Sequence, residues 1–183
     1  VPAAVVELVW GDQLEAAFYH YQVVALMLIL VGIVFLIVER WNKGRDAKVT
    51  TIAQITYRAA FMIGMFQLIA ALFPGTSRSG ATIIGALLLG VSRVVAAEFT
   101  FYLAIPVMFG ASLLKLVKFL MMGLSFTSMA IAILAVGCIV SFVVSIIVIK
   151  FLMGYIKKHD FIPFGIYRIV LGAVLLIYFA LVR

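Results

Sequence analysis

The sequence is poor in the residues that chemistry outside a membrane usually draws on. It holds one cysteine and two histidines. Cys138 alone forms no intrachain disulfide, and His20 and His159 lie far apart along the chain, so no zinc or thiol site is legible. Charge is also scarce: 11% of the residues are Asp, Glu, Lys or Arg and 67% are hydrophobic, with a mean hydropathy of +1.29. A soluble domain is about 45–50% apolar and about 25% charged. The balance excludes an ordinary soluble domain and marks an integral membrane protein. Acidic residues are outnumbered, 7 against 14 basic, for a net charge of +7. Those basic residues sit in short clusters between apolar runs, as cytoplasmic loops do, which excludes nucleic acid as the partner. The opening VPAAVVELVW lacks the charged n-region of a signal peptide. It reads as the tail of an earlier membrane segment, and the chain is expected to be a piece of a longer protein.

What is present is a series of apolar runs. The run at 21–38 is about 18 residues long, near the length a spanning helix requires. Those at 94–114, 126–149 and 164–182 are each roughly 19 to roughly 24 residues long, enough to cross. A basic loop with Lys43, Arg45, Lys48 and Arg58 follows the first run, Lys115 and Lys118 follow the second, and Lys150, Lys157 and Lys158 the third. The expected fold is an all-α polytopic membrane protein, a single membrane domain over 1–183. The runs at 59–73 and 81–91, about 15 and about 11 residues, are short for spanning. Pro74 and Gly75 divide them, because proline removes a backbone donor and glycine frees the backbone. Either the pair over 59–91 turns back as a re-entrant helix pair, or it crosses as one broken helix. The two short halves favour the first, which puts the 39–58 loop in the cytoplasm and Arg183 outside.

Between the halves stands FPGTSRSGATI. Backbone broken at membrane depth is tolerated only where it faces protein or a water-filled cavity. The 74–80 loop should therefore line a polar pocket. A helix starting near Ser79 offers free N–H groups and the positive end of its dipole to an anion. Arg78 adds a planar fork suited to phosphate oxygens, and Ser77, Ser79 and Thr82 add hydroxyls. Gly75, Thr76 and Gly80 complete the cradle. The plain alternative is a cytoplasmic turn with Arg78 among lipid headgroups and the serines as caps. Glu98, an intramembrane carboxylate, is a site candidate by default; otherwise it answers the helix dipole or pairs with Arg93. Gln67 reaches substrate or the freed carbonyls near Pro74. Arg168 is expected to snorkel to the interface. Gly137, Ser141 and Ser145 form a small-residue stripe expected to be a packing face, and Pro106 is expected to kink its helix.

The stretches GMFQLIAALFPGTSRSGATI, GVSRVVAAEFTFYLAIPVMFGAS and KKHDFIPFGIYRIVLG closely resemble the undecaprenyl pyrophosphate phosphatase family of bacteria, also called bacitracin-resistance proteins. The likeness runs along nearly the whole chain, and the PGxSRSGAT signature followed by AxEFxFxLAIP is highly specific. Type 2 phosphatidic acid phosphatases also use a Ser-Arg pair, but their PSGH element and following histidine are absent. The resemblance implies hydrolysis of undecaprenyl diphosphate to undecaprenyl phosphate, recycling a lipid carrier for peptidoglycan synthesis. It further implies half of an inverted-topology repeat, a multi-pass place in the bacterial plasma membrane and a site opening to the outer face. On the family's motif Arg78 and Ser77 are the catalytic candidates, Arg78 gripping the diphosphate. Gly75, Thr76, Ser79, Gly80, Thr82, Gln67 and Glu98 are the substrate-binding candidates. The family's glutamate-rich first motif, ending in a Ser-Ser-Thr-Gly-His run, has no counterpart in these residues. The chain thus reads as the C-terminal two-thirds of such an enzyme, inactive by itself and in need of its N-terminal part, with a homo-oligomer left open. The resemblance also implies a divalent cation, Mg²⁺ or Ca²⁺, for which no carboxylate cluster is legible here. A transporter or flippase for an anionic lipid is the competing reading, since interrupted helices at the midplane are a transporter architecture. A purely structural membrane subunit would leave Arg78 and the SRSGAT hydroxyls without purpose.

Overall fold

A computed structural model describes residues 18–122 and 127–182, together with Val6 and Gln13. Within them the chain forms six helices: α1 (Tyr21–Asn42), α2 (Tyr57–Leu72), α3 (Arg78–Leu88), α4 (Arg93–Met121), α5 (Ser128–Ile156) and α6 (Ile162–Leu181). A 3₁₀ turn, Ile52–Gln54, precedes α2. Four of the helices, α1, α4, α5 and α6, are long and apolar enough to cross a membrane. The protein is an all-helical, polytopic membrane protein.

Helix starts follow local chemistry. Thr56, Ser77, Ser92 and Thr127 each stand at an N-cap and accept a hydrogen bond from the backbone N–H three residues on, which satisfies one of the amides a helix leaves unpaired. The ends lie further out than the apolar runs suggest. α1 continues to Asn42 rather than 38, and α4 to Met121, taking in Lys115 and Lys118. α5 takes in Lys150. Lysine is a good helix former and its long stem lets the ammonium reach water, so charge ends an apolar run without ending a helix. α4 passes through Pro106 as one continuous helix. Of the expected third span, Phe126 lies outside the described residues, as does almost all of the opening VPAAVVELVW.

Two packings set the frame. In the first, α1 and α6 run antiparallel with their backbones in close approach. A Cβ on Gly32 would lie 2.7 Å from the Gly165 carbonyl oxygen, and one on Gly172 would lie 2.7 Å from that of Ala25. Tyr21 stacks on Phe179 with ring centroids 4.4 Å apart. Small residues that admit a neighbouring backbone are the usual basis of helix association in lipid. In the second, α3 folds back on α2: a Cβ on Gly85 would lie 2.6 Å from the ring of Phe66. In one continuous helix those two residues would stand on the order of 28 Å apart, so α2 and α3 form a hairpin. α3 is the most enclosed helix, with Ala81, Thr82, Ala86 and Leu87 all buried.

The small-residue stripe on α5 is not a packing face within this chain. A Cβ on Gly137 would meet nothing within 4 Å, and every residue from 127 to 151 is exposed. Small side chains permit close approach but do not compel it. The glycines of α1 and α6, by contrast, each have a neighbouring backbone opposite them.

At one end of the bundle a single carboxylate joins three helices. Glu39, near the end of α1, has a side chain only 1% exposed. Arg93, the first residue of α4, donates to it from Nε at 3.0 and 2.9 Å and from Nη2 at 2.6 Å. The backbone N–H of Phe161, at the N-cap of α6, donates to the same carboxylate at 3.0 Å. Arg93 is therefore committed to Glu39 and not to Glu98. Breaking a fully buried pair costs about 3–5 kcal/mol. Arg93 is 37% exposed, which brings the expectation down to on the order of 2 kcal/mol. Glu39→Gln is expected to lower the thermal midpoint of the detergent-solubilised intact protein by several degrees. Adding Arg93→Met to that variant should cost little more, because the partner is already lost. Independent, additive losses in the double variant would contradict the clamp.

Candidate functional site

The segment after α2 is shaped by one glycine. Gly75 has φ +88°, and a Cβ there would lie 2.5 Å from the Val24 carbonyl oxygen and 2.9 Å from the Val24 Cα of α1. Only glycine fits both the left-handed backbone and the approach of that neighbour. Pro74 cannot continue the hydrogen-bond ladder of α2, so the chain turns, with the Thr76 N–H donating to the Phe73 carbonyl at 3.3 Å. α3 then begins at Arg78, capped by Ser77, whose Oγ accepts from the Gly80 N–H at 3.1 Å. Ser77 and Ser79 share a hydroxyl contact of 3.0 Å.

This helix start opens onto a cavity of about 260 Å³. Ser77, Ser79, Gly80 and Thr100 form its polar edge, and Phe101, Phe161, Phe164 and Tyr167 are among its aromatic walls. Arg168 of α6 also lines it, and the Arg168 Nη2 donates to the Gly75 carbonyl at 2.7 Å. The expectation that Arg168 snorkels to the interface is thus corrected. It lies nearly two turns into α6 and turns inward because the Gly75 carbonyl, released by the break at Pro74, needs a donor.

The sequence candidates separate into two groups. Ser77, Ser79 and Gly80 come together at the cavity. Arg78 stands at the first position of α3, exposed, and is not among the residues that wall the cavity. Thr82 is 1% exposed and its hydroxyl is engaged within the protein, with the Arg78 and Ser79 carbonyls at 3.1 and 3.0 Å and the Thr100 hydroxyl at 3.0 Å. It ties α3 to α4. Gln67, 7% exposed, lies on α2 away from the cavity walls, and Glu98 is half-buried on α4, also outside them. Thr76 is 7% exposed, and its hydroxyl is buried with no hydrogen-bond partner among the described residues.

Sequence reasoning missed Thr100, Arg168 and the aromatic wall. Arg168 had a signal: an arginine inside an apolar run, three residues after Gly165 and four before Gly172, shares a helical side with both glycines. The wall had none, because phenylalanine is abundant throughout the chain.

Chemically, the arrangement offers hydroxyls, the amide N–H groups of a helix start and two guanidinium groups nearby, all of which favour an anion. The divalent cation implied by the resemblance does not fit these residues. Among the described residues no three of His, Cys, Asp and Glu gather where they could hold one. The chemistry legible here is that of cationic side chains and backbone amides.

Comparison with known proteins shows the family of the chain. The chain is 63% identical over 180 residues to an undecaprenyl-diphosphatase of Desulfitobacterium hafniense, covering 98% of this chain and 64% of the relative. It is 60% identical to undecaprenyl-diphosphatase 1 of Clostridium acetobutylicum, covering 100% of this chain and 65% of the relative. It is 56% identical to an undecaprenyl-diphosphatase of Enterococcus faecalis, covering 97% and 64%. The chain thus spans a little under two thirds of the length of these relatives. Residues 1–174 match the family described as bacitracin resistance protein BacA, and with a match of that extent the chain belongs to that family.

Proposed function

We propose that this chain carries the phosphate-binding part of an enzyme that hydrolyses undecaprenyl diphosphate to undecaprenyl phosphate and inorganic phosphate. The observation that carries the reading is the start of α3: a serine-capped helix N-terminus, headed by Arg78, opening onto an apolar cavity between membrane helices. The names of the relatives supply the substrate, and the shape of the cavity suits it, with polar groups at one edge for a headgroup and aromatic walls for the first part of a prenyl tail. Pockets for whole ligands usually enclose upwards of about 300 Å³. This cavity is smaller and is sized for the headgroup end.

In the proposed reaction a water oxygen bonds to the terminal phosphorus while the bond from that phosphorus to the bridging oxygen breaks; the water's proton passes to solvent, and the bridging oxygen leaves with the lipid phosphate. Negative charge builds on the departing and non-bridging oxygens. Phosphoryl transfer depends chiefly on positioning and on stabilising that charge. The α3 amides and Arg78 supply the stabilisation; Ser77 and Ser79 orient the headgroup by hydroxyl hydrogen bonds. The Ser77 oxygen already accepts from Gly80, and no histidine or carboxylate among the described residues hydrogen-bonds it, so its role here is binding.

The α2–α3 hairpin supports a re-entrant pair, since two helices this short that double back fall below the length of a crossing. We place the site in the bacterial plasma membrane, open to the outer face, where the monophosphate carrier is regenerated for peptidoglycan synthesis. Purified intact protein in detergent should release inorganic phosphate from undecaprenyl diphosphate. Binding without release would favour a transporter. Arg78→Ala should lower kcat by about 10³-fold or more in a variant that still folds, and Arg78→Lys should remain impaired because an ammonium lacks the planar fork. Near-normal turnover in Arg78→Ala would refute the assignment.

A further inference from the structure

Arg168 raises a separate question of charge. It lies well inside a helix apolar enough to span a membrane, lines the cavity, and has one donor, Nη2, on the Gly75 carbonyl at 2.7 Å. Its Nε is buried and meets no acceptor among the described residues. No carboxylate among the described residues lies within ion-pair distance of it; the ion pair near the start of α6 uses Arg93 and Glu39. A guanidinium held beside apolar walls with a donor unmet and no counter-charge is costly, and such groups are normally paired. The carbonyl of Gly75 answers part of the hydrogen-bonding need and none of the charge.

We infer that Arg168 is a second cationic arm of the same site, bracing the Gly75 turn with one Nη while its remaining charge faces the anionic headgroup of a diphosphate. The inference rests on reading the cavity as a diphosphate site. It explains why Arg168 points inward rather than out to the interface. A diphosphate carries charge on two phosphoryl groups, and Ser77 and Ser79 at the start of α3 and Arg168 on α6 line the cavity from different elements. Acting through Gly75, Arg168 also fixes where α3 begins, so it is a positioning residue as well as a binding one.

The test uses intact protein in detergent, comparing wild type with Arg168→Gln and Arg168→Lys. Three quantities are measured: kcat and KM for undecaprenyl diphosphate, the inhibition constant for inorganic pyrophosphate, and the thermal midpoint. Losing one charge-assisted contact should raise KM and the pyrophosphate inhibition constant together by about 10- to 100-fold in Arg168→Gln. Arg168→Lys, which keeps the charge, should recover part of both. KM and pyrophosphate inhibition both within about twofold of wild type in a folded Arg168→Gln variant would overturn the inference. Should Arg168→Gln fail to fold, Arg168→Lys decides by the same two constants. Absence of phosphate release by wild type would sink the phosphatase reading alone. Calorimetric binding of pyrophosphate to wild type and variants would then decide the role of Arg168, equal affinities overturning it.

Discussion

The site depends on the hydrogen bond from Arg168 to the carbonyl of Gly75. A helix interrupted inside a membrane exposes backbone groups that lipid cannot satisfy, and the break at Pro74 does so where α2 gives way to α3. The carbonyl freed there is met by a side chain from the far end of the sequence, 93 positions away. That meeting requires α6 to be close, which the glycines at 32, 165 and 172 arrange by letting α1 and α6 touch backbone to backbone. α1 in turn presses Val24 against Gly75. Two separate helices, α1 and α6, therefore agree on the position of one turn, and that turn decides where α3 starts and what its first amides face.

The other end of the frame is held by charge instead of close packing. Glu39 receives both Arg93 and the Phe161 amide, so the ends of α1, α4 and α6 cannot drift apart without stranding a buried carboxylate. Between clamp and turn lies the cavity, with Phe161 beside Phe35 at a centroid distance of 6.0 Å. Thr82 and Thr100 complete the link between α3 and α4. By contrast, α5 and the second half of α4 face outward along nearly their whole length. In water an apolar face of that extent would drive association.

Much of this was legible in the residues and some was not, for identifiable reasons. Among the described residues each long apolar run overlaps a long helix, because hydrocarbon thickness fixes a minimum that few other folds share. The Pro-Gly pair located the break, and Ser77 its cap. Pair choice was beyond the sequence: Arg93 had Glu98 within its own helix and Glu39 on another, and only packing shows that the distant partner wins. Thr82 looked like a ligand to the substrate from its motif, yet its hydroxyl is spent on carbonyls of its own helix and on Thr100. Gln67 and Glu98 were drawn in by being polar in apolar company, and neither reaches the cavity wall. The inward turn of Arg168 needed knowledge that α6 lies against the broken loop, which no local pattern carries.

Taken together, the chain builds a cationic, amide-rich corner in an apolar setting, the environment in which charge on a phosphoryl group is most strongly stabilised. The most direct measurement is a structure of the intact protein with a non-hydrolysable undecaprenyl methylene-diphosphonate bound. The account predicts phosphonate oxygens within hydrogen-bond distance of the first-turn amides of α3 and of the Arg78 guanidinium, with the prenyl chain leaving past Phe101 and Phe164. A headgroup bound elsewhere, with the start of α3 untouched, would contradict it.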